Sequence, residues 1–113
     1  KRTYIKVCND KNRTGELHRV LLINGDRKFL KGNGGGVSKT NPPELNNIDL
    51  QYIQEFDLLH TSIHSYIEDQ LPLMHKVSKF LSMDFSDCYD TAYLKKCCLY
   101  ADCAEISCGN MEK

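Results

Sequence analysis

No stretch of eighteen apolar residues occurs in this chain, so it holds no candidate for a membrane-spanning helix. Net charge is missing too: fifteen Lys and Arg offset fifteen Asp and Glu among 113 residues. A nucleic-acid-binding surface needs a stronger positive field, and none is expected. Catalytic signatures are also absent. No Ser-His-Asp or Cys-His set can be assembled, and the residue after His60 is Thr61 where the zinc metalloprotease pattern requires glutamate. These absences predict a protein that is not an enzyme and uses no cofactor or metal. The chain opens on no signal-peptide pattern, and a secreted protein in mature form is the expectation.

What the chain does have is cysteine. Cys8 stands near the start, and Cys88, Cys97, Cys98, Cys103 and Cys108 crowd into the last quarter. An even number in a short chain, without metal-ligand spacing, reads as three disulfides formed in an extracellular setting. If all six pair, Cys8 closes a loop of eighty or more residues, worth about 4 kcal/mol in the chain-entropy model. The pairing itself stays open. Adjacent cysteines bond to each other only under strain, so Cys97 and Cys98 are expected to reach out on two sides of a helix. Asn12-Arg13-Thr14 is a glycosylation acceptor pattern at Asn12.

The length predicts one domain, 1–113. Leu45, Ile48, Tyr52, Phe56, Leu59, Ile63 and Ile67 recur at steps of three and four, one apolar stripe along a long helix over 43–71. Pro43 suits its first turn and Pro72 ends or kinks it. Leu73, Met74, Val77, Phe80 and Leu81 extend the pattern, and a further helix is expected to run from Asp84 or Ser86 through the cysteines to Gly109. Residues 16–23 fit a helix capped by Thr14, or a strand turning at Asn24-Gly25, with the helix favoured because Asp26-Arg27-Lys28 opens a partner strand poorly. The predicted class is therefore all-α, a small stapled bundle of four or five helices. Residues 31–43, with three consecutive glycines and Pro42-Pro43, read as a flexible loop. Its Ser38-Lys39-Thr40 resembles the end of a phosphate-binding loop, but the required glycines fall on Asn33 and Ser38.

Zero net charge hides an asymmetry. Residues 1–40 carry ten bases against three acids, +7, and 41–113 carry five against twelve, −7. Either the halves pair with each other or the basic one meets an anionic partner, including a polyanionic surface. Arg13, Arg19, Arg27, Lys28 and Lys31 are the candidate partner-binding residues. Asp57, His60, His64 and Glu68 would share one side of the long helix, the pattern of a solvated face with favourable i,i+4 pairs more than of a zinc site.

In length, in the outlying Cys8 and in the block from Asp87-Cys88 through Cys97-Cys98 and Cys103 to Cys108, the chain resembles anopheline mosquito salivary proteins of the anophensin and albicin type. That resemblance implies a secreted, non-enzymatic inhibitor of a host plasma protein complex, foremost the complement alternative-pathway convertase. Inhibition of contact activation or of platelet–collagen adhesion is the alternative it leaves, and a cytokine-like helical ligand is a further one that fits the pattern.

Overall fold

A computed structural model describes residues 14–23, 25 and 27–109, and the chain divides into two compact units, 1–43 and 44–113. Cys8, Asn12 and Arg13 lie outside the described residues. Both units contain strands, which corrects the all-α expectation: among the described residues five strands form two sheets.

In the first unit, β1 (Leu17–Leu21) and β2 (Arg27–Gly32) make an antiparallel hairpin. The 16–23 segment is thus extended, and the favoured helix is wrong. Gly25 turns the chain at φ 83°, and its N–H donates to the Leu22 carbonyl (3.0 Å). The charged opening of β2 is no obstacle, because Lys28 is exposed on the hairpin, as are Phe29 and Leu30 after it. His18 pairs with Lys31 and Arg19 with Phe29, so Leu30 is the extra residue of a bulge. Asn33 locks the base. Its Oδ1 accepts from Glu16 N (2.9 Å), its Nδ2 donates to the Thr14 carbonyl (2.7 Å), and its backbone N–H donates to the Glu16 carbonyl (3.1 Å). Gly32 is required here, since a Cβ would lie 2.6 Å from the Glu16 carbonyl oxygen. The rest of 31–43 is a glycine turn followed by the single-turn helix α1 (Val37–Thr40).

In the second unit, the stripe expected to be one helix is cut into several pieces. Asn46 caps α2 (Asn47–Ile53): its Oδ1 accepts from Ile48 N and Asp49 N, and Asp49 returns a bond to Asn46 N. Then come β3 (Leu59–Ser62), two 3₁₀ turns (Ile63–Ser65 and Glu68–Gln70), α3 (Leu71–Val77), β4 (Leu81–Asp84), α4 (Thr91–Cys98) and β5 (Cys103–Glu105). Pro72 lies in the first turn of α3, so it starts a helix where it was expected to end or kink one. Asp90 caps α4, its Oδ1 accepting from Tyr93 N (2.6 Å).

The three strands are parallel, in the order β3-β4-β5. Parallel neighbours cannot be joined by a tight turn, so α3 and α4 serve as crossovers. Leu71 and Met74 of α3 and Cys97 of α4 join Leu81, Met83 and Phe85 in one buried core, with Leu59, Ile63, Tyr93 and Leu94 packed against it. The rings of Phe85 and Tyr93 meet edge to face at 6.4 Å.

Cys97 spends its side chain on that core, whereas Cys98 in α4, Cys103 in β5 and Cys108 beyond it are exposed; these four and Cys88 are free thiols. The expected disulfide framework is therefore corrected for all five described cysteines. Cys97 points into the core and Cys98 into solvent, so the two diverge, but they tie the helix to nothing.

Phe85→Ala is expected to cost about 3–5 kcal/mol and Asn46→Ala about 1 kcal/mol in denaturant-induced unfolding. Similar small losses for both would contradict the placement of Phe85 at the centre of the core.

Candidate functional site

Successive side chains of a strand alternate between faces. Leu59 and Thr61, Leu81 and Met83, and Ala104 therefore look toward the helices, while His60 and Ser62, Ser82 and Asp84, and Cys103 and Glu105 share the other face. Register pairs His60 with Ser82 and Ser82 with Cys103 in one row, and Ser62 with Asp84 and Asp84 with Glu105 in the next. That second row is the carboxyl end of all three strands, where open α/β sheets bind their ligands.

Side chains knit this face together. Ser82 Oγ donates to Glu105 Oε1 (2.9 Å) and contacts His60 Nδ1 (3.1 Å), and His60 Nδ1 stands 4.0 Å from the same Glu105 oxygen. Ser82 is buried, but the side chains of His60 and Glu105 are 51% and 58% exposed. At the strand ends, Ser62 Oγ accepts from His64 N (3.3 Å). Asp84 Oδ1 accepts from Ser86 N (2.7 Å), and Ser86 holds a left-handed φ of 53°. The ladder continues past the strands, with Phe85 N bonded to the Glu105 carbonyl and Ser107 N to the Ser86 carbonyl. Tyr89 donates its hydroxyl to the Ser107 carbonyl. Chemically, this rim is a set of hydrogen-bond acceptors of negative character on a rigid backbone, suited to hydroxyl or ammonium groups. Bare phosphate would be repelled.

The expected set Asp57, His60, His64 and Glu68 is not on one helix. Asp57 precedes β3 and pairs with Lys79 (2.7 Å), which holds its carboxyl below the usual range, first through the hydrogen bond and then through charge. His60 is in β3, and His64 and Glu68 are in the two 3₁₀ turns. Among the described residues no three His, Cys, Asp or Glu side chains gather closely enough to hold a metal. Of the basic residues singled out, Arg19 is exposed in β1, Lys28 and Lys31 are exposed in β2, and Arg27 also falls in β2. Lys31 lines an open groove of about 450 Å³ with Glu16, His18, Gly32 and Asn33.

Ser82, Asp84 and Glu105 escaped the sequence reading. Their signal was the spacing of three short alternating stretches, 59–62, 81–84 and 103–105, each separated from the next by helical residues, the pattern of parallel βαβ units.

No family model matches the chain, and no solved structure matches it. Among curated proteins it is similar to the fructosamine kinase FrlD of Bacillus subtilis (strain 168), 33% identical over 118 aligned positions that cover 97% of this chain. The chain spans 40% of that relative's length. The likeness overturns the expectation of a non-enzymatic inhibitor of the complement convertase, and with it the contact-activation, platelet–collagen and cytokine-like readings, because the protein matched along nearly the whole chain is an enzyme.

The free thiols differ in reach. Burial, first of all, pushes the Cys97 thiol upward, outweighing the hydrogen bond from Tyr93 that lowers it. Cys98, Cys103 and Cys108 are expected to react with a thiol reagent in the native state. Cys97 should stay protected as pH rises through the ordinary thiol range, because burial both covers it and pushes its thiol upward. Mass mapping of the labelled sites checks this, and rapid native labelling of Cys97 would contradict its burial. A reductant should leave the melting temperature of 44–113 unchanged.

Proposed function

We propose that this chain forms part of a kinase that phosphorylates a fructosamine. The observation that carries the reading is its 33% identity, along 97% of its length, to a protein named as a fructosamine kinase. The parallel sheet supports it. Small-molecule kinases need a rigid frame that positions the acceptor, since phosphoryl transfer asks little covalent chemistry of the protein and much alignment. Here that frame is the β3-β4-β5 ladder, and its carboxyl end carries Ser62, Asp84 and Glu105 in one register row. A fructosamine has several hydroxyls and an amine, all hydrogen-bond donors, and an acceptor-lined rim complements them. Asp84 is the residue we place against the substrate, its orientation fixed by the bond from Ser86 N.

The protein carrying this chain, supplied with ATP, magnesium and a fructosamine, is expected to release ADP in a coupled assay, and to release little with the unglycated amine. Asp84→Asn should lower kcat/KM by about tenfold or more, the loss of a hydrogen bond to a charged group. No fructosamine-dependent ADP release from folded protein would overturn the reading.

A further inference from the structure

Glu105, Ser82 and His60 form a hydrogen-bonded chain with a direction. A carboxylate only accepts, so the single hydroxyl proton of Ser82 goes to Glu105 Oε1 at 2.9 Å. The 3.1 Å contact between Ser82 Oγ and His60 Nδ1 must then be Nδ1–H donating to the hydroxyl oxygen. The bond made by one ring nitrogen decides the state of the other. A neutral His60 therefore carries no proton on Nε2, the reverse of the form that free imidazole side chains favour in water. Nε2 makes no hydrogen bond among the described residues, and the His60 side chain is 51% exposed. The three residues come from three adjacent strands of one sheet, so the arrangement is built into the backbone register.

A bare imidazole nitrogen seeks a donor. Glu105 and Asp84 lie on the same face and disfavour an anion there, so the groups that suit Nε2 are neutral or cationic donors, among which a sugar offers hydroxyls. We propose that His60 is a substrate-positioning residue whose Nε2 accepts a hydrogen bond from a hydroxyl of the sugar-like substrate, with Ser82 and Glu105 setting its tautomer. This proposal rests on the kinase reading for the identity of the ligand, but the tautomer does not. Ser82 takes part although it is buried, because its task is to relay the preference of Glu105 to the ring and it touches no ligand.

Two measurements test it. The first is long-range proton–nitrogen NMR of the protein with ¹⁵N-labelled histidine, recorded where the ring is neutral. His60 is expected to carry its proton on Nδ1, and Ser82→Ala and Glu105→Ala should each return it to Nε2. A wild-type ring protonated on Nε2 would overturn the proposal. In the second, His60→Ala should raise KM for the fructosamine about five- to tenfold, the effect of one neutral hydrogen bond, with kcat and the KM for ATP little changed, the signature of lost ground-state binding. Ser82→Ala should raise the same KM by less. Addition of the fructosamine should also shift the Nε2 resonance. An active kinase whose KM ignores His60→Ala would sink the positioning role. Absence of kinase activity together with an Nδ1–H ring would sink the kinase reading and, with it, the ligand assigned to His60.

Discussion

Three short parallel strands that must be hydrogen-bonded side by side set the terms for the rest of the 44–113 unit. Each parallel pairing obliges the chain to leave the sheet, run back and re-enter, which is why α3 and α4 exist where they do. Both helices then serve one core, because Leu71, Met74 and Cys97 pack with Leu81, Met83 and Phe85. The central strand β4 carries the arrangement. It pairs on both sides, and its first residue is held again by Asp102, whose Oδ2 accepts from Leu81 N while its own N–H donates to the Leu81 carbonyl, both at 2.8 Å. That reciprocal bond holds the chain in register one residue ahead of the first β4–β5 ladder pair, Ser82 with Cys103. A buried N–H at the start of β4 would otherwise stand unpaired, a loss comparable to a hydrogen bond.

The same register produces the chemistry of the other face. With Leu81 and Met83 committed to the core, Ser82 and Asp84 have to point away from it, and pairing places them beside His60, Ser62 and Glu105. Ser82 is buried because its two longer neighbours cover it, and it is satisfied because both reach it. A polar residue buried in a strand is costly without partners. Here the cost is offset, and the partners become ordered. Their order is set by the ladder, which moves far less than a loop would.

How much of this was legible depends on strand length. Runs of three or four residues, Leu-His-Thr-Ser, Leu-Ser-Met-Asp and Cys-Ala-Glu, are too short for alternation to outvote helical spacing, and the apolar positions 45, 48, 52, 56, 59, 63 and 67 satisfied a helix by coincidence at their second half. The helical reading was right where a cap supported it, at α2 behind Asn46 and Asp49. It failed at β3, which follows a break at 54–58 that no glycine or proline marks. Pro72 misled for a similar reason: proline is acceptable at a helix start and damaging in its interior, and periodicity alone does not say which position it holds. In the hairpin, Asn24-Gly25 was the better signal than the apolar spacing of Leu17, Val20 and Leu21. Pairing with β2 decided the matter, a long-range contact that no local window contains.

The cysteines show the same limit more sharply. Counting them treated six thiols as equivalent, and an even number in a short chain argued for bridges. The fold makes them unequal. Cys97 behaves as a small apolar side chain in the core, a role free cysteine fills readily, and its thiol is pushed up by that burial. Cys98, one residue along the same helix, faces solvent. Cys103 faces away from the core in β5, and Cys108 follows that strand, its thiol donating to the Ile106 carbonyl at 3.7 Å. Two cysteines can bridge only when their side chains converge, and the helix and strand periodicities that send Cys97, Cys98 and Cys103 different ways are the ones that build the core and the polar face. With a parallel sheet in place and the five described thiols free, the unit is not a cross-linked bundle, and its chemistry moves from the cysteines to the histidine, serine and carboxylates on the open face.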